Sequence, residues 1–412
     1  MQADALLQST PFSDGTNDHI IESVTGAVPG PTLIVIGSIH GNEPAGALAA
    51  RKVASALDGK DSLIRGEVVF LKGNLRALAQ RVRFIDSDLN RHWTTENISR
   101  NRQGSITHPT CSEDIEQREL LEAINKTISR AQGELYFLDL HTTSAEGKPF
   151  ATVGDTLRNR EFALKFPVTI LLGIEEQLDG TLLEYVNDLG AVTMGFEAGQ
   201  HDNPASVDRH EALIWIALVA AGSMRAKDVT ELSSHRALLD KASGGTRIIE
   251  VRHRHGVRPE DQFQMAEGFE NFQPVRRGQP LAHDHQGVIT ARETGLVIMP
   301  RYQALGDDGF FLGREVKPFW LKLSRVLRRL KVGDYMHLLP GVRRHPTDDR
   351  ILVVDTRLAR LFPLQVFHLL GFRKRRWNGA LLEVGRRRYD LNGPERRQGD
   401  NTRLSKTRDE NT

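Results

Sequence analysis

The sequence predicts an α/β fold in which a mostly parallel mixed sheet is flanked by helices. Three observations support this prediction. Residues 18–224 alternate apolar strand segments with helical segments, residues 247–315 change to short strands separated by glycine turns, and the C-terminal part is rich in arginine. Alternating strands and helices are typical of a parallel sheet covered by helices. We therefore expect an α/β domain over residues 1–240, a small β domain over 246–322, and a basic extension over 323–412.

Candidate strands and helices alternate along the first region. Strands are expected at His19–Val24, Thr32–Ile39, Glu67–Lys72, Leu135–Leu140, Ala151–Val153, Val168–Leu172 and Ala191–Phe196. Helices are expected at Ala45–Leu57, Ile115–Ala131, Asn159–Phe166, Thr181–Leu189 and His210–Met224. The strand segments are short apolar runs, whereas the helical segments are longer and carry good helix formers.

The two later regions are separated by composition. The stretch "LLDKASGG", which ends in Gly244 and Gly245, predicts a short linker before the β domain. In the extension we expect a strand at Ile351–Asp355, a helix at Leu358–Leu370 interrupted by Pro363, and a type I′ hairpin at Asn378–Gly379. The polar stretch from Asn392 onward, about the last 20 residues, is expected to be disordered.

Charge is distributed unevenly along the chain. Residues 323–412 contain 21 Lys and Arg against 10 Asp and Glu, a net charge of +11, and the preceding residues carry −9. The arginine runs 373–376 and 386–388 suggest an anionic partner such as nucleic acid or acidic lipid. A basic surface that packs beside the acidic body explains the same residues, and we prefer that interpretation.

Composition also bears on the compartment. No apolar run reaches the roughly 20 residues that a membrane span needs, and the N-terminal stretch lacks the pattern of a signal peptide. The single cysteine, Cys111, excludes an intramolecular disulfide and fits a reducing compartment. We expect the protein in the cytoplasm, and the sequence leaves a homodimer open.

Metal-ligating side chains stand where two apolar strands end. In "LIVIGSIHGNEPAG" the strand is followed by His40 and Glu43, and "YFLDLHTTS" ends in His141. In open α/β sheets, ligands bind outside the carboxyl ends of the strands. Two histidines and one carboxylate form a zinc set that leaves a fourth position for water. Asp139 lies on the same side of its strand as His141 and is expected to orient it. Taken alone, the first segment also fits a surface histidine and a helix-capping glutamate.

A third strand ends at Glu197 in "VTMGFEAGQH". A water bound to zinc needs a nearby carboxylate to take its proton and deliver it to a leaving amine. Glu197 is the candidate for this role, because an unpaired carboxylate beside an apolar strand is otherwise costly. The stretch "NLRALAQRVRFIDSDLNRHW" adds arginines suited to holding a carboxylate or an oxyanion, although a solvated charged loop explains it equally well.

These motifs together resemble a known family. "HGNE", "NxRA…RFIDxDLNR", "DLHTT" and "FEAG" follow the order and spacing of the succinylglutamate desuccinylase/aspartoacylase family, a branch of the zinc carboxypeptidase-like fold, over roughly residues 30–320. The resemblance implies one zinc per chain, held by His40, Glu43 and His141. It also implies that Glu197 activates water and that Arg83 stabilises the oxyanion.

The same resemblance implies a set of substrate-binding residues. Asn90 and Arg91 match the pair that binds the substrate carboxylate, Asp88 braces them, and Asn74 helps to shape the pocket. The β domain of the family supplies a tyrosine, for which Tyr302 is the candidate.

The chain departs from its relatives at one position. Aspartoacylases resemble one another in an arginine about ten residues before the catalytic glutamate, where it pairs with the second carboxylate of the substrate. Here Asn187 stands near that position, and no arginine lies between Gly180 and Glu197. This departure questions N-acetylaspartate as the substrate.

We therefore expect a zinc-dependent hydrolase that removes an acyl group from an N-acyl amino acid or a similar small carboxylate. The bond is an amide or an ester, and the nucleophile is a metal-activated water. One alternative is a carboxypeptidase-like metallopeptidase that uses the same zinc and the same anchor for a peptide C-terminus. A second alternative is a zinc-binding or nucleic-acid-associated scaffold without enzymatic activity.

Overall fold

The computed structural model describes residues 18–103, 111–355, 357, 364–378 and 381–394. The predicted fold class is confirmed: a large, mostly parallel mixed sheet is flanked by helices, and smaller antiparallel sheets follow toward the C-terminus. None of the described helices is long and apolar enough to cross a membrane.

The strands and helices are numbered in chain order within the described residues. The strands are β1 Ile20–Thr25, β2 Val28–Gly37, β3 Arg65–Lys72, β4 Leu135–Thr143, β5 Phe150–Val153, β6 Thr169–Leu172, β7 Val192–Gln200, β8 Ile248–Gly256, β9 Gln264–Met265, β10 Pro274–Val275, β11 Pro280–Asp284, β12 Gly287–Thr290, β13 Gly295–Ile298, β14 Asp308–Glu315, β15 Val342–Arg344, β16 Ile351–Asp355, β17 Phe372–Asn378 and β18 Leu381–Arg386. The helices are α1 Ala45–Leu57, α2 Leu75–Gln80, α3 Thr95–Gln103, α4 Ser112–Arg130, α5 Leu157–Ala163, α6 Leu182–Asp188, α7 Ala205–Ala221, α8 Leu232–Ser243, α9 Pro318–Arg329 and α10 Leu364–Leu369.

The large sheet has the strand order β1-β3-β2-β4-β7-β5-β6-β8-β14-β13-β10. Strands β3, β2, β4 and β7 run parallel at its centre. In β2, Leu33 and Val35 pack on the side of α1 and α7, whereas Ile34 and Ile36 pack on the side of α4 and α6. Because both faces are covered, the strand is apolar throughout, as expected for a buried parallel strand.

Two sequence predictions are corrected in this part of the fold. The stretch "LLDKASGG" is not a linker, since its first six residues belong to α8 and Gly244 ends that helix in the left-handed conformation with φ 73°. Glycine is favoured there because it adopts positive φ without strain. The arginine-rich stretch after β3 is not only a loop, because α2 begins directly after Asn74, whose side chain accepts a hydrogen bond from the backbone N–H of Ala77.

The strands of residues 246–322 divide between two sheets. Strands β8, β14, β13 and β10 continue the large sheet, and Ile170 of β6 lies opposite Ile248 of β8 in parallel register. Strands β12, β11 and β9 form a separate antiparallel sheet. The edge of the α/β body and the β region therefore share backbone hydrogen bonds.

The extension forms an antiparallel sheet in the order β15-β16-β18-β17, covered by α9 and α10. The strand predicted at 351–355 is present, and β17 and β18 pair with Asn378 opposite Leu381, as a hairpin requires. The turn residues between them, the first part of the predicted helix at 358–363, and residues 395–412 lie outside the described part of the chain.

A buried arginine joins this extension to the body. The guanidinium of Arg328 lies 2.8 Å from Asp155 Oδ2 and 3.1 Å from Asp390 Oδ1. It also donates hydrogen bonds to the backbone carbonyls of Leu369 and His368. Its side chain is 1% exposed, so these partners, and not water, stabilise its charge.

Replacing this arginine is expected to destabilise the protein. The Arg328→Met variant leaves buried carboxylate and carbonyl groups without their donor, and we expect the free energy of unfolding to fall by about 3–5 kcal/mol. Urea denaturation followed by fluorescence measures the change.

The neighbouring Arg329 provides a matched control, since its ion pair with Glu161 lies at the surface. Arg329→Met is expected to change the free energy of unfolding by less than about 1 kcal/mol. Equal effects of the two substitutions would contradict a docking role for Arg328.

Candidate metal centre and active site

The ends of three neighbouring parallel strands bring the predicted functional residues together. His40 and Glu43 lie in the loop between β2 and α1, His141 lies in β4, and Glu197 lies in β7. His141 and Glu197 occupy opposite positions in the register of β4 and β7. Since β2, β4 and β7 are adjacent, their carboxyl ends form one edge of the sheet.

Glycines allow the loop that carries His40 to lie close to its neighbours. A Cβ atom on Gly37 would lie 2.3 Å from the backbone N of Ala47, in α1. A Cβ atom on Gly41 would lie 2.1 Å from the backbone of Ala77, in α2. Both positions therefore require glycine for close backbone approach, and this approach sets where the loop presents His40 and Glu43.

The side chains of His40, Glu43 and His141 converge on one point. His40 Nδ1 lies 3.0 Å from Glu43 Oε1, and His141 Nδ1 lies 3.3 Å from Glu43 Oε2. One potential ligand atom from each residue lies within 4.8 Å of the others, and all three residues are buried. Backbone N–H of Thr142 donates to Glu43 Oε2 at 2.8 Å, which fixes the carboxylate.

Two further carboxylates hold the histidine rings from behind. Asp88 Oδ1 lies 3.1 Å from His40 Nε2, and Asp139 Oδ2 lies 2.9 Å from His141 Nε2. A neutral imidazole that carries its proton on Nε2 keeps the lone pair of Nδ1 free. Carboxylates behind histidine ligands are a common feature of metal sites, because they select this tautomer. Two imidazole nitrogens and one carboxylate, so oriented, fit a divalent metal ion.

The electrostatics of the cluster are those of closely spaced opposite charges. Burial alone would raise the pKa of Glu43, but His40 and His141 hold that pKa well below its usual value. Burial alone would lower the pKa of His141, but Asp139 and Glu43 raise it well above the usual value. The cluster thus favours an ionised carboxylate, the form that binds a cation, beside a protonated His141 whose proton a bound metal ion would replace.

Glu197 lies half-buried beside this cluster, and its Oε2 atom is shielded from solvent and makes no hydrogen bond to any described residue. Burial raises its pKa to about 8. His141 opposes this shift, whereas Glu43 and Asp139 add to it. An unpartnered carboxyl oxygen beside a cluster of metal-ligating groups is placed to accept or donate a proton there.

Arg83 also reaches the cluster. Its Nη2 atom donates to Asp88 Oδ2 at 3.1 Å, and its Nη1 atom lies 3.5 Å from Glu43 Oε1. The Nε atom has no hydrogen-bond partner among the described residues. Arg83 lines the same cavity as His40, His141 and Glu197, and so it places a fixed positive charge at the site.

Buried glutamates of α4 hold the segment that carries Arg83. Glu113 accepts hydrogen bonds from the backbone N–H groups of Ile85, Asp86 and Ser87, at 2.8, 3.1 and 3.2 Å. Three peptide groups on one carboxylate fix the loop directly after Arg83. A segment that resembles a solvated charged loop in the sequence is therefore ordered by a buried anion.

Asn90 and Arg91 line the cavity, as expected for substrate-binding residues. Asn90 Oδ1 accepts a hydrogen bond from the backbone of Leu182 at 2.9 Å, which positions the amide. Arg91 Nη2 lies 2.8 Å from Asp308 Oδ2, so its guanidinium is paired with a residue of the β region.

Three predicted site residues do not line the cavity. One of them, Asp88, lies behind His40. Asn74 caps α2 and donates to Glu113, and it is fully buried outside the cavity lining. Tyr302 bonds through its hydroxyl to the backbone of Ala266 and Phe269, and its ring is 41% exposed. Its neighbour Gln303 lines the cavity.

Sequence reasoning missed other residues of the cavity. His201 lies between Thr142 and Gln303, with contacts of 2.8 and 3.2 Å through its two ring nitrogens. It directly follows the "FEAGQ" segment, which was the available signal. Arg373 and Arg387 of the extension also line the cavity, and no local pattern connects them with it.

Part of the chain is similar to a known catalytic domain, and its fold is similar to that of a solved structure. Residues 29–217 match the family model of the succinylglutamate desuccinylase/aspartoacylase catalytic domain. A solved succinylglutamate desuccinylase/aspartoacylase from Rhodobacter sphaeroides has 19% identity and a TM-score of 0.53, with 72% of this chain and 88% of that chain covered. Succinylglutamate desuccinylase from Vibrio cholerae has 18% identity and a TM-score of 0.49, with 70% and 83% covered. No curated protein matches the chain.

Removing a carboxylate behind a ligand is expected to weaken metal binding. In the Asp139→Asn variant, His141 loses the partner that orients its ring, and affinity for added Zn²⁺ should fall about 10–100-fold. Competition with a chromophoric chelator measures the affinity. Asp202→Asn changes an exposed carboxylate in the turn after β7 and should leave the affinity unaltered. Equal affinities of wild type and Asp139→Asn would remove Asp139 from the site.

Proposed function

Because the chain carries a catalytic domain of the succinylglutamate desuccinylase/aspartoacylase family, we propose that it is a zinc-dependent hydrolase of N-acyl amino acids or similar small carboxylates. The observation that carries the proposal is the convergence of His40, Glu43 and His141 beside the unpartnered carboxyl group of Glu197. The family match supports acyl-amino-acid hydrolysis as the class of reaction, and the two-histidine, one-carboxylate donor set supports zinc.

When bound at these ligands, zinc supplies Lewis acidity toward the scissile carbonyl and acidifies a water molecule. The chain itself must then move a proton. Glu197 takes the proton of the attacking water on its carboxylate and delivers it to the leaving nitrogen. Its Oε2 atom is shielded from solvent, which limits competition by bulk water for that proton. Arg83 places positive charge where the carbonyl oxygen becomes negative.

The remaining residues of the proposal bind the substrate. Asn90 and Arg91 face the cavity and suit a carboxylate, since a guanidinium binds both oxygens in a fork. Arg91 is paired with Asp308 in the absence of a substrate. A substrate carboxylate would therefore bind Arg91 either together with Asp308 or in place of Asp308. The ion pair with Asp308 already orients the guanidinium for this contact.

The competing functions are less well supported. A metallopeptidase must admit a long chain, whereas the β region forms part of the cavity wall, which favours small substrates. The residues of this part of the wall are Met299, Pro300, Arg301 and Gln303. Arg373 and Arg387, which belong to the two arginine runs, pair with Glu184 and Glu175 of the body, so these two residues do not support a nucleic-acid-associated scaffold. The cytoplasm is the compartment we propose, because a single cysteine fits reducing conditions.

Metal analysis with an activity panel tests the proposal. The purified protein should contain about one zinc ion per chain, the number of ligand clusters proposed here. It should release amino acids from some members of a panel of N-acetyl, N-succinyl and N-formyl amino acids, and a chelator should abolish this release. Absence of zinc, or zinc without turnover of any member, would overturn the proposed activity.

A substitution at Glu197 tests the proton transfer separately. Glu197→Gln removes the proton acceptor but not a metal ligand, so zinc content should persist while kcat falls by roughly 10²–10⁴-fold. Initial rates and metal content of the same preparation provide both readouts. Glu146→Gln, at an exposed position, is the control and should retain activity. Full activity of Glu197→Gln would contradict the role of Glu197.

A further inference from the structure

The cavity that holds the metal-ligating cluster continues beyond it to a wall built by the C-terminal extension. Arg373, in β17, and Arg387, directly after β18, line the same cavity as His141 and Glu197. Both arginines lie outside residues 29–217, the segment that matches the catalytic family. The extension thus contributes two arginines to a cavity whose other residues at this end belong to the matched segment.

Arg387 is held rigidly at this wall. Its Nη2 atom donates to Glu175 and lies 3.6 Å from Glu176 Oε1, and its side chain is 4% exposed. Among the described residues it makes no other side-chain hydrogen bond. Its remaining N–H groups are available at the cavity surface, because Arg387 is part of the lining.

Arg373 is more accessible. Its Nη1 atom donates to Glu184, and its Nη2 atom lies 4.0 Å from Asp188 Oδ2, at the limit of an ion pair. Its side chain is 16% exposed, so it faces the cavity and is not sealed in the protein. Within the described part of the chain, Glu184 is its one hydrogen-bond partner.

The polar groups at this end favour an acceptor-rich ligand. Asn187 uses its Oδ1 atom to accept from Asn159 and Thr193, while its Nδ2 atom donates to no described residue. Spare donors thus come from Arg373, Arg387 and Asn187. Glu175 Oε2 is a buried acceptor at this end that has no hydrogen-bond partner among the described residues. Burial raises the pKa of Glu175 and of Glu184, while Arg387 and Arg373 oppose the respective shifts.

We propose that the C-terminal extension completes the substrate cavity, and that Arg373 and Arg387 bind a carboxylate at the end of the substrate remote from the scissile bond. This inference rests on the proposed hydrolase function for the identity of the ligand as a substrate. Arg373 is the specificity-determining residue, because Glu184 alone holds it and a substrate carboxylate competes with Glu184 for the guanidinium. Arg387 forms the fixed part of the wall.

Two opposite substitutions on one ion pair test the proposal. Arg373→Gln removes the anion-binding group, whereas Glu184→Gln removes its internal competitor. Titration calorimetry of the full-length protein with glutarate, and with butyrate as the monocarboxylate of similar length, measures binding. Wild type should prefer glutarate. That preference should fall about tenfold or more in Arg373→Gln and rise in Glu184→Gln.

A purely structural ion pair would give the same sign for both variants, because either substitution breaks it. Arg343→Gln, at an exposed arginine on β15, controls for the general loss of one positive charge from the extension. Circular dichroism of each variant reports folding. The proposal would be overturned if the wild type bound glutarate and butyrate with equal affinity. It would also be overturned if both variants changed the preference for glutarate in the same direction.

Kinetics distinguish this inference from the proposed function. Two substrate pairs, each with a neutral and an anionic member, identify which end of the substrate carries the carboxylate. The pairs are N-acetylglutamine with N-acetylglutamate, and N-butyryl with N-succinyl amino acids. Arg373→Gln should raise KM for the anionic member and leave kcat for the neutral member within about threefold. No turnover at all, with glutarate binding that still depends on Arg373, would reject the hydrolase and retain the site. Turnover with no effect of Arg373→Gln on the KM of the anionic member would retain the hydrolase and reject the site.

Discussion

The carboxylate of Glu43 is the interaction on which the site depends. It is buried between His40 and His141, and the backbone N–H of Thr142 binds one of its oxygens. A buried charge of this kind is tolerated only when its partners are in place. Strands β2 and β4 must therefore meet at the correct register before Glu43 is satisfied. The register of β2 and β4 and the geometry of the metal-ligating cluster consequently depend on each other.

A second group of buried acids extends this constraint outward. Asp88 contacts His40, Arg83 and the backbone of Asn90, so it joins a ligand, a cation and a substrate-facing residue. Glu113 then fixes the loop between Arg83 and Asp88 through backbone N–H groups. The charged appearance of this segment in the sequence is thus explained by burial, because its carboxylates act as internal acceptors and not as solvated groups.

The sequence was sufficient for the parts of the molecule that local patterns determine. Apolar strand ends followed by His40, Glu43 and His141 predict the cluster, since parallel strands bring their carboxyl ends to one edge. Long-range placement was not predictable. Tyr302 and Gln303 are neighbours in the chain, and only packing decides that Gln303 lines the cavity while Tyr302 bonds to the backbone. The helix before Gly244 was missed because the glycines that end a helix also mark linkers.

In the extension, too, local sequence predicted some features, whereas long-range placement was not predictable. Its net positive charge was evident, and packing against the acidic body was the preferred interpretation. The structure agrees for Arg328 and Arg373, which pair with Asp155 and Glu184 of the body. That Arg373 also faces the cavity depends on how β17 meets α6, a contact between segments 189 residues apart. No periodicity or motif carries that information.

The position of Arg387 and Arg373 has a thermodynamic consequence for the molecule as a whole. A ligand held by both the body and the extension binds only when the two are docked, so its binding free energy adds to the stability of their association. At a ligand concentration one hundred times Kd, this contribution is about 2.7 kcal/mol. The substrate concentration would then set how often the extension separates from the body. It would also set the rate at which proteases gain access to the hairpin of β17 and β18.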